Sequence, residues 1–234
     1  MEKTASNPKV VTTTFKLKPP PSIPGLPAIA SSSVLIGDDT ISRPAELVTG
    51  LLHRATKGVL ASGSKAGKTW LLLYLALCVA TGRAFLRWPT VQGKVLFINL
   101  EIQTPFIKER LLALMGRLGI TDSGDLDFLN WRGKTADGEA LIANIIKETE
   151  GKGYSLIIID PYYKLMNGKS ENAAGSVAKF CHQLEWIAER TGAAVVYSHH
   201  FTKGDAKKKR MMDRMSGSGV FARDADTVLP ISSS

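Results

Sequence analysis

The chain has 234 residues, 44% of them hydrophobic and 22% charged, a balance that supports one substantial core and excludes a wholly disordered chain. Its formal charge of +9 favours an anionic partner, nucleic acid or a phosphorylated ligand, without specifying which. The two cysteines, Cys78 and Cys181, fall in apolar helical patterns with no metal-ligand spacing, so they read as core thiols of a reducing compartment and exclude a disulfide framework.

Residues 1 to about 33 hold seven prolines and glycines among Ser and Thr clusters, with no sustained helical or strand period, and are expected to be a mobile tail or linker. Residues 34–234 are expected to form one domain. Its first β-rich run, Lys57–Ala61, leads into "SGSKAGKT" and a helix expected over 68–81. Strand, small-residue loop and helix in that order build a nucleotide phosphate cradle. Gly67 lets the backbone approach a phosphate, and the amides of Gly63, Ser64, Lys65, Ala66 and Gly67 turn inward. The helix start at Lys68, Thr69 and Trp70 adds its partial positive charge. Lys68 can then reach the β and γ phosphates and the Thr69 hydroxyl can ligate Mg²⁺. The usual pattern is G-x-x-x-x-G-K-[ST], and here Ser62 stands at the first glycine with Gly63 beside it. The apolar run after Thr69 is about a dozen residues, against the roughly 20 of a membrane helix. No hydrophobic run backs the N-terminal Lys3, so a cytoplasmic protein is expected.

The next run, Lys94–Leu100, ends on Glu101 in "KVLFINLE". A carboxylate there can orient and deprotonate an attacking water if it faces the γ phosphate. The competing reading is a Glu that complements the dipole of the helix expected over 104–118. A run at Leu126–Trp131 and a helix over 137–149 precede "SLIIIDPYY", where Asp160 closes the apolar run Leu156–Ile159. That suits an interior parallel strand whose carboxyl end faces the phosphate loop, with Asp160 holding Mg²⁺ through water; turn chemistry with Pro161 is the alternative. A helix over 173–191 then sets Val177, Phe180, Cys181, Leu184, Ile187 and Ala188 on one face. Runs at Ala194–Ser198, followed by His199 and His200, and at Thr227–Ile231 complete the series. Such alternation implies an α/β fold, a mostly parallel twisted sheet flanked by helices on both faces.

Between the last two runs lies "KGDAKKKRMMDRMSGSG". Residues 203–214 carry Lys203, Lys207, Lys208, Lys209, Arg210 and Arg214 against Asp205 and Asp213, six minus two giving +4. Such a cluster binds phosphates through counterion release, with strong salt dependence and no reading of sequence, and Phe201 at its start is its one stacking aromatic. A solvated charge run is the alternative.

Taken together, "SGSKAGKT", "LFINLE", "LIIIDP", "VVYSHHFTKG" and "SGSGVFARDAD" resemble the RecA-like P-loop ATPase core, most closely the plasmid RepA-type hexameric replicative helicases related to DnaB, over roughly residues 43–231. The resemblance implies ATP as the nucleotide, with Lys68 and Thr69 on phosphate and Mg²⁺. It further implies Asp160 as a Mg²⁺ carboxylate, Glu101 as the catalytic base and His199 or His200 as the γ-phosphate sensor, with His200, next to the loop, preferred. Also implied are a homo-oligomeric ring whose basic loop, residues 203–214, grips single-stranded DNA, and partner proteins of replication. Ring ATPases commonly borrow an arginine from the neighbouring subunit; Arg210, Arg214 and Arg223 are candidates, and none matches the family position cleanly. "TKGD" at 202–205 mimics a guanine-reading motif, but Asp160 lacks the following Asp-x-x-Gly switch of GTPases. Small-molecule kinases usually need an arginine-rich lid. A nucleotide-dependent switch or loader that regulates a replication partner is the non-enzymatic alternative, and Glu101 argues against it.

Overall fold

The computed structural model describes residues 27–63, 65–134, 138–166, 174–200 and 224–231. The chain divides into two units, residues 1–42 and 43–234. In the first, Ser31 starts a short helix, α1 (Ser32–Ile36), by accepting the Val34 amide on its hydroxyl at 3.3 Å.

The second unit opens with an antiparallel pair, β1 (Glu46–Val48) and β2 (Leu52–His53), too short for any period in the sequence to reveal it. Thereafter strands and helices alternate: β3 (Lys57–Ser62), α2 (Lys68–Thr81), β4 (Lys94–Asn99), α3 (Thr104–Leu118), β5 (Leu126–Asn130) and α4 (Gly138–Thr149). Then come β6 (Tyr154–Asp160), a 3₁₀ turn (Tyr162–Met166), α5 (Ala174–Thr191), β7 (Ala194–His200) and β8 (Thr227–Ile231). The main sheet runs β5-β4-β6-β7-β3-β8, and every pairing in it is parallel. The expected parallel sheet between two helical layers is therefore the fold found.

The strand period of two divides the core. Val59, Ala61, Ile98, Ile157, Ile159 and Val195 face α4 and α5, while Leu60, Phe97, Leu156, Ile158, Ala194 and Val196 face α2 and α3. All seven residues of β6 are buried, which explains why "YSLIIID" reads as an unbroken apolar run instead of an alternating one. Cys78 and Cys181 are buried free thiols. Burial pushes their pKa values up to about 11 and about 12 respectively, which makes both poor nucleophiles. Among the described residues no helix is long and apolar enough to cross a membrane.

The edge strand β8 follows residues 201–223, which lie outside the described residues together with the basic cluster at 203–214, "TKGD", Phe201, Arg210, Arg214 and Arg223. It is fastened by a buried lysine. Lys57 Nζ meets Asp224 Oδ2 at 2.9 Å, and the Lys57 amide donates to Asp226 Oδ2 at 2.8 Å.

This strand order sets up the site. In register, Ser62 at the end of β3 lies opposite His200 at the end of β7, and Asn99 at the end of β4 lies opposite Asp160 at the end of β6. The carboxyl ends of four neighbouring strands thus form one rim, where open α/β sheets bind ligands.

Candidate active site

The loop from β3 into α2 turns on Gly67, whose φ of +82° lies in the left-handed region that a side chain disfavours, although no atom stands where its Cβ would go. Gly67 is also the N-cap of α2, and no side chain caps that end. The first-turn amides and the positive end of the helix dipole are therefore left for a ligand, and no acidic side chain sits in the first turn to neutralise them.

Lys68 lies over this turn, 7% exposed. Its Nζ donates to Ser62 Oγ at 2.9 Å and to Gly63 O at 3.0 Å, and meets His200 Nδ1 at 3.0 Å. An ammonium only donates, so Nδ1 accepts and the imidazole proton sits on Nε2. Burial pulls the Lys68 pKa below its ordinary value, against the opposing charges of Asp160 and Glu101. The serine at the first-glycine position thus has a use: its hydroxyl supplies a partner for the lysine.

Asp160 closes β6 at 5% exposure and accepts two hydroxyls, Thr69 Oγ1 on Oδ2 at 2.6 Å and Ser198 Oγ on Oδ1 at 2.5 Å. Burial raises its pKa, reinforced by the Glu101 charge and opposed by the two hydroxyls and by Lys68. Glu101 is exposed at the rim, and the Tyr163 hydroxyl donates to its Oε1 at 3.3 Å. The turn carrying Glu101 is shaped by Asn99, 1% exposed. Asn99 Oδ1 accepts the Ile102 amide at 2.9 Å and the Glu101 amide at 3.4 Å, while Nδ2 donates to Ile102 O at 2.6 Å and Asn130 Oδ1 at 2.9 Å.

These groups share a cavity of about 750 Å³ whose wall includes Lys65 to Trp70, Glu101, Asp160 and His200. Gly63 takes part through the carbonyl that Lys68 bonds; Ser64 lies outside the described residues. Trp70 is 41% exposed at the cavity, with the Arg110 guanidinium 5.3 Å from its ring. The two histidines part company. His199 is fully buried with its ring 4.9 Å from that of Tyr162, while His200 lines the cavity.

The donor chemistry suits Mg²⁺. Thr69 gives its proton to Asp160, which leaves the hydroxyl oxygen to face a cation. Among the described residues no group of three or more His, Cys, Asp or Glu forms a metal cage. Mg²⁺ commonly takes one or two protein oxygens and completes its shell with phosphate and water.

Four contributing residues escaped the sequence reading. Ser198 lies two residues before His200, and period-two alternation along β7 would have placed both toward one side. Tyr163 sits three residues after Asp160, and Asn99 two before Glu101. Arg110, on α3, carries no local signal.

An uncapped, glycine-turned helix start beneath a buried lysine, with two carboxylates from separate strands on the same cavity, defines a P-loop protein of RecA-like α/β fold. A family model for the AAA domain matches residues 27–206, well over half of the chain, so the chain belongs to the AAA domain family and is a P-loop ATPase. ATPases of that family typically use ATP and Mg²⁺.

Proposed function

We propose that the protein hydrolyses ATP with Mg²⁺ and couples hydrolysis to binding single-stranded DNA, or moving along it. In this reading it works as a homo-oligomeric ring of the RepA and DnaB helicase type, or as a related replication or recombination ATPase of a mobile element. The observation that carries the reading is the gathering of Lys68, the Thr69–Asp160 pair and Glu101 on one cavity.

Thr69 and Asp160 would hold Mg²⁺, which supplies charge to the terminal phosphate oxygens. Lys68 exchanges its bonds to Ser62 and Gly63 for phosphate oxygens, replacing neutral acceptors with charged ones. Glu101, exposed at the rim, receives the proton of the attacking water. His200, bonded to Lys68, registers the presence of the γ phosphate. The DNA half of the proposal draws on the +4 charge of residues 203–214.

Steady-state ATP turnover with and without a single-stranded oligonucleotide tests the coupling. Stimulation by the strand is expected. Turnover that ignores the strand contradicts the DNA half, and no turnover in any condition contradicts the whole.

A further inference from the structure

We infer that a second cavity, on the far side of Glu101, binds the phosphodiester backbone of a single strand through Arg132, Lys134 and Lys164. The inference rests on the proposed coupling to nucleic acid and places contacts outside the basic cluster at 203–214.

Beyond β5 the chain reverses through Trp131, Arg132, Gly133 and Lys134, with Gly133 at φ +74° and the Lys134 amide donating to Trp131 O at 3.3 Å. This turn and the 3₁₀ turn after β6 wall a cavity of about 530 Å³, and among the described residues that line it Glu101 is the one carboxylate beside three cations. Glu101 also lines the nucleotide cavity, so the two share a wall. All three cations are exposed, and among the described residues none of them is in an ion pair. Three cations on two separate turns, in no ion pair among the described residues and outnumbering the one described carboxylate of the cavity, suit an anionic ligand with more than one charged group.

An aromatic ring in the wall favours nucleic acid over an acidic peptide. Lys134 Nζ lies 4.9 Å from the ring centroid of Trp131, which lines this cavity, while Lys164 Nζ lies 5.3 Å from that of Tyr163, which lines the nucleotide cavity. Cations for phosphates beside a ring face for a base are the usual elements of single-strand recognition. Tyr163 also donates to Glu101, so a phosphate that draws Lys164 acts on the residue that holds the catalytic carboxylate.

The test is fluorescence anisotropy of a labelled oligo(dT) with the full chain over a salt series. It compares the unaltered protein with two triple variants, Arg132→Ala with Lys134→Ala and Lys164→Ala, and Lys207→Ala with Lys208→Ala and Lys209→Ala. Three single-strand phosphate contacts at about 0.7 each predict that the first variant's slope of log K against log salt becomes shallower by about 2, independently of the second. Oligo(dT) should also quench tryptophan fluorescence in the unaltered protein and quench it less in Trp131→Phe, whereas inorganic polyphosphate, which has no bases, should compete without quenching. An unchanged slope in the first variant overturns this inference alone. So does a polyglutamate peptide that displaces the oligo and is itself released by the same three substitutions. Failure of the unaltered protein to bind the oligo overturns the inference together with the DNA half of the proposed function.

Discussion

Asp160 carries a conflict between stability and function. Its carboxylate is buried, held by Thr69 and Ser198, and its pKa is raised, so the native state binds a proton more tightly than the unfolded chain does. Stability from this group is therefore fully present below the ordinary carboxylate range and declines as pH rises through the raised native value. Asp160→Asn keeps the shape and removes the charge. In the presence of a chelator, urea unfolding should show the variant gaining on the unaltered protein as pH rises through that window, while ATP turnover is lost. Parallel stability curves would remove the burial argument. Asn99 acts one step back from the chemistry: Asn99→Ala should cost about 1 kcal/mol by removing hydrogen bonds to partly buried partners. It should also lower kcat, per active site titrated, with little change in KM, because it displaces Glu101 and leaves the phosphate loop intact; a raised KM would show that the phosphate loop is disturbed as well. Lys68, Thr69 and Asp160 were legible in the sequence because covalent spacing places them relative to one strand or helix. Ser198 and Tyr163 lie close in sequence to His200 and Asp160 but are residue types that mark no site by themselves, and Arg110 meets the cavity only after α3 is packed.

At the scale of elements, apolar runs and helical periods located the six strands of the main sheet and its four flanking helices. Helix α2 was recognised by its position after the phosphate loop, since it is apolar on nearly every side and buried accordingly. The β1–β2 pair was missed because two and three residues carry no measurable period. Lys57 read only as a strand's first residue, yet its side chain, 7% exposed, is paired to Asp224 across the sheet edge. Lys57→Ala leaves that acid facing a low-dielectric surface without its cation and should destabilise the protein by about 3 kcal/mol. Lys57→Ala combined with Asp224→Ala should recover part of the loss in chemical denaturation. No recovery would mean that the pair is incidental to how β8 is held.

For the whole molecule, the decisive feature is strand order. The polypeptide visits the rim at Lys68, Glu101, Asp160 and His200, separated by dozens of residues, and the order β4-β6-β7-β3 brings those four ends side by side. A linear sequence with strand–helix alternation implies a parallel sheet but does not specify which strands are neighbours; the rule for open α/β sheets turned the end of the Asp160 strand toward the phosphate loop, and the roles of Glu101 and His200 beside it were implied by the resemblance to RecA-like ATPases. The central claim is that Glu101 activates water against a triphosphate held by Lys68. Its most direct test is ATP turnover by Glu101→Gln, measured together with the affinity for a fluorescent ATP analogue. The account predicts turnover reduced by about 10²- to 10⁴-fold with nucleotide affinity retained; hydrolysis at the unaltered rate in that variant would contradict it.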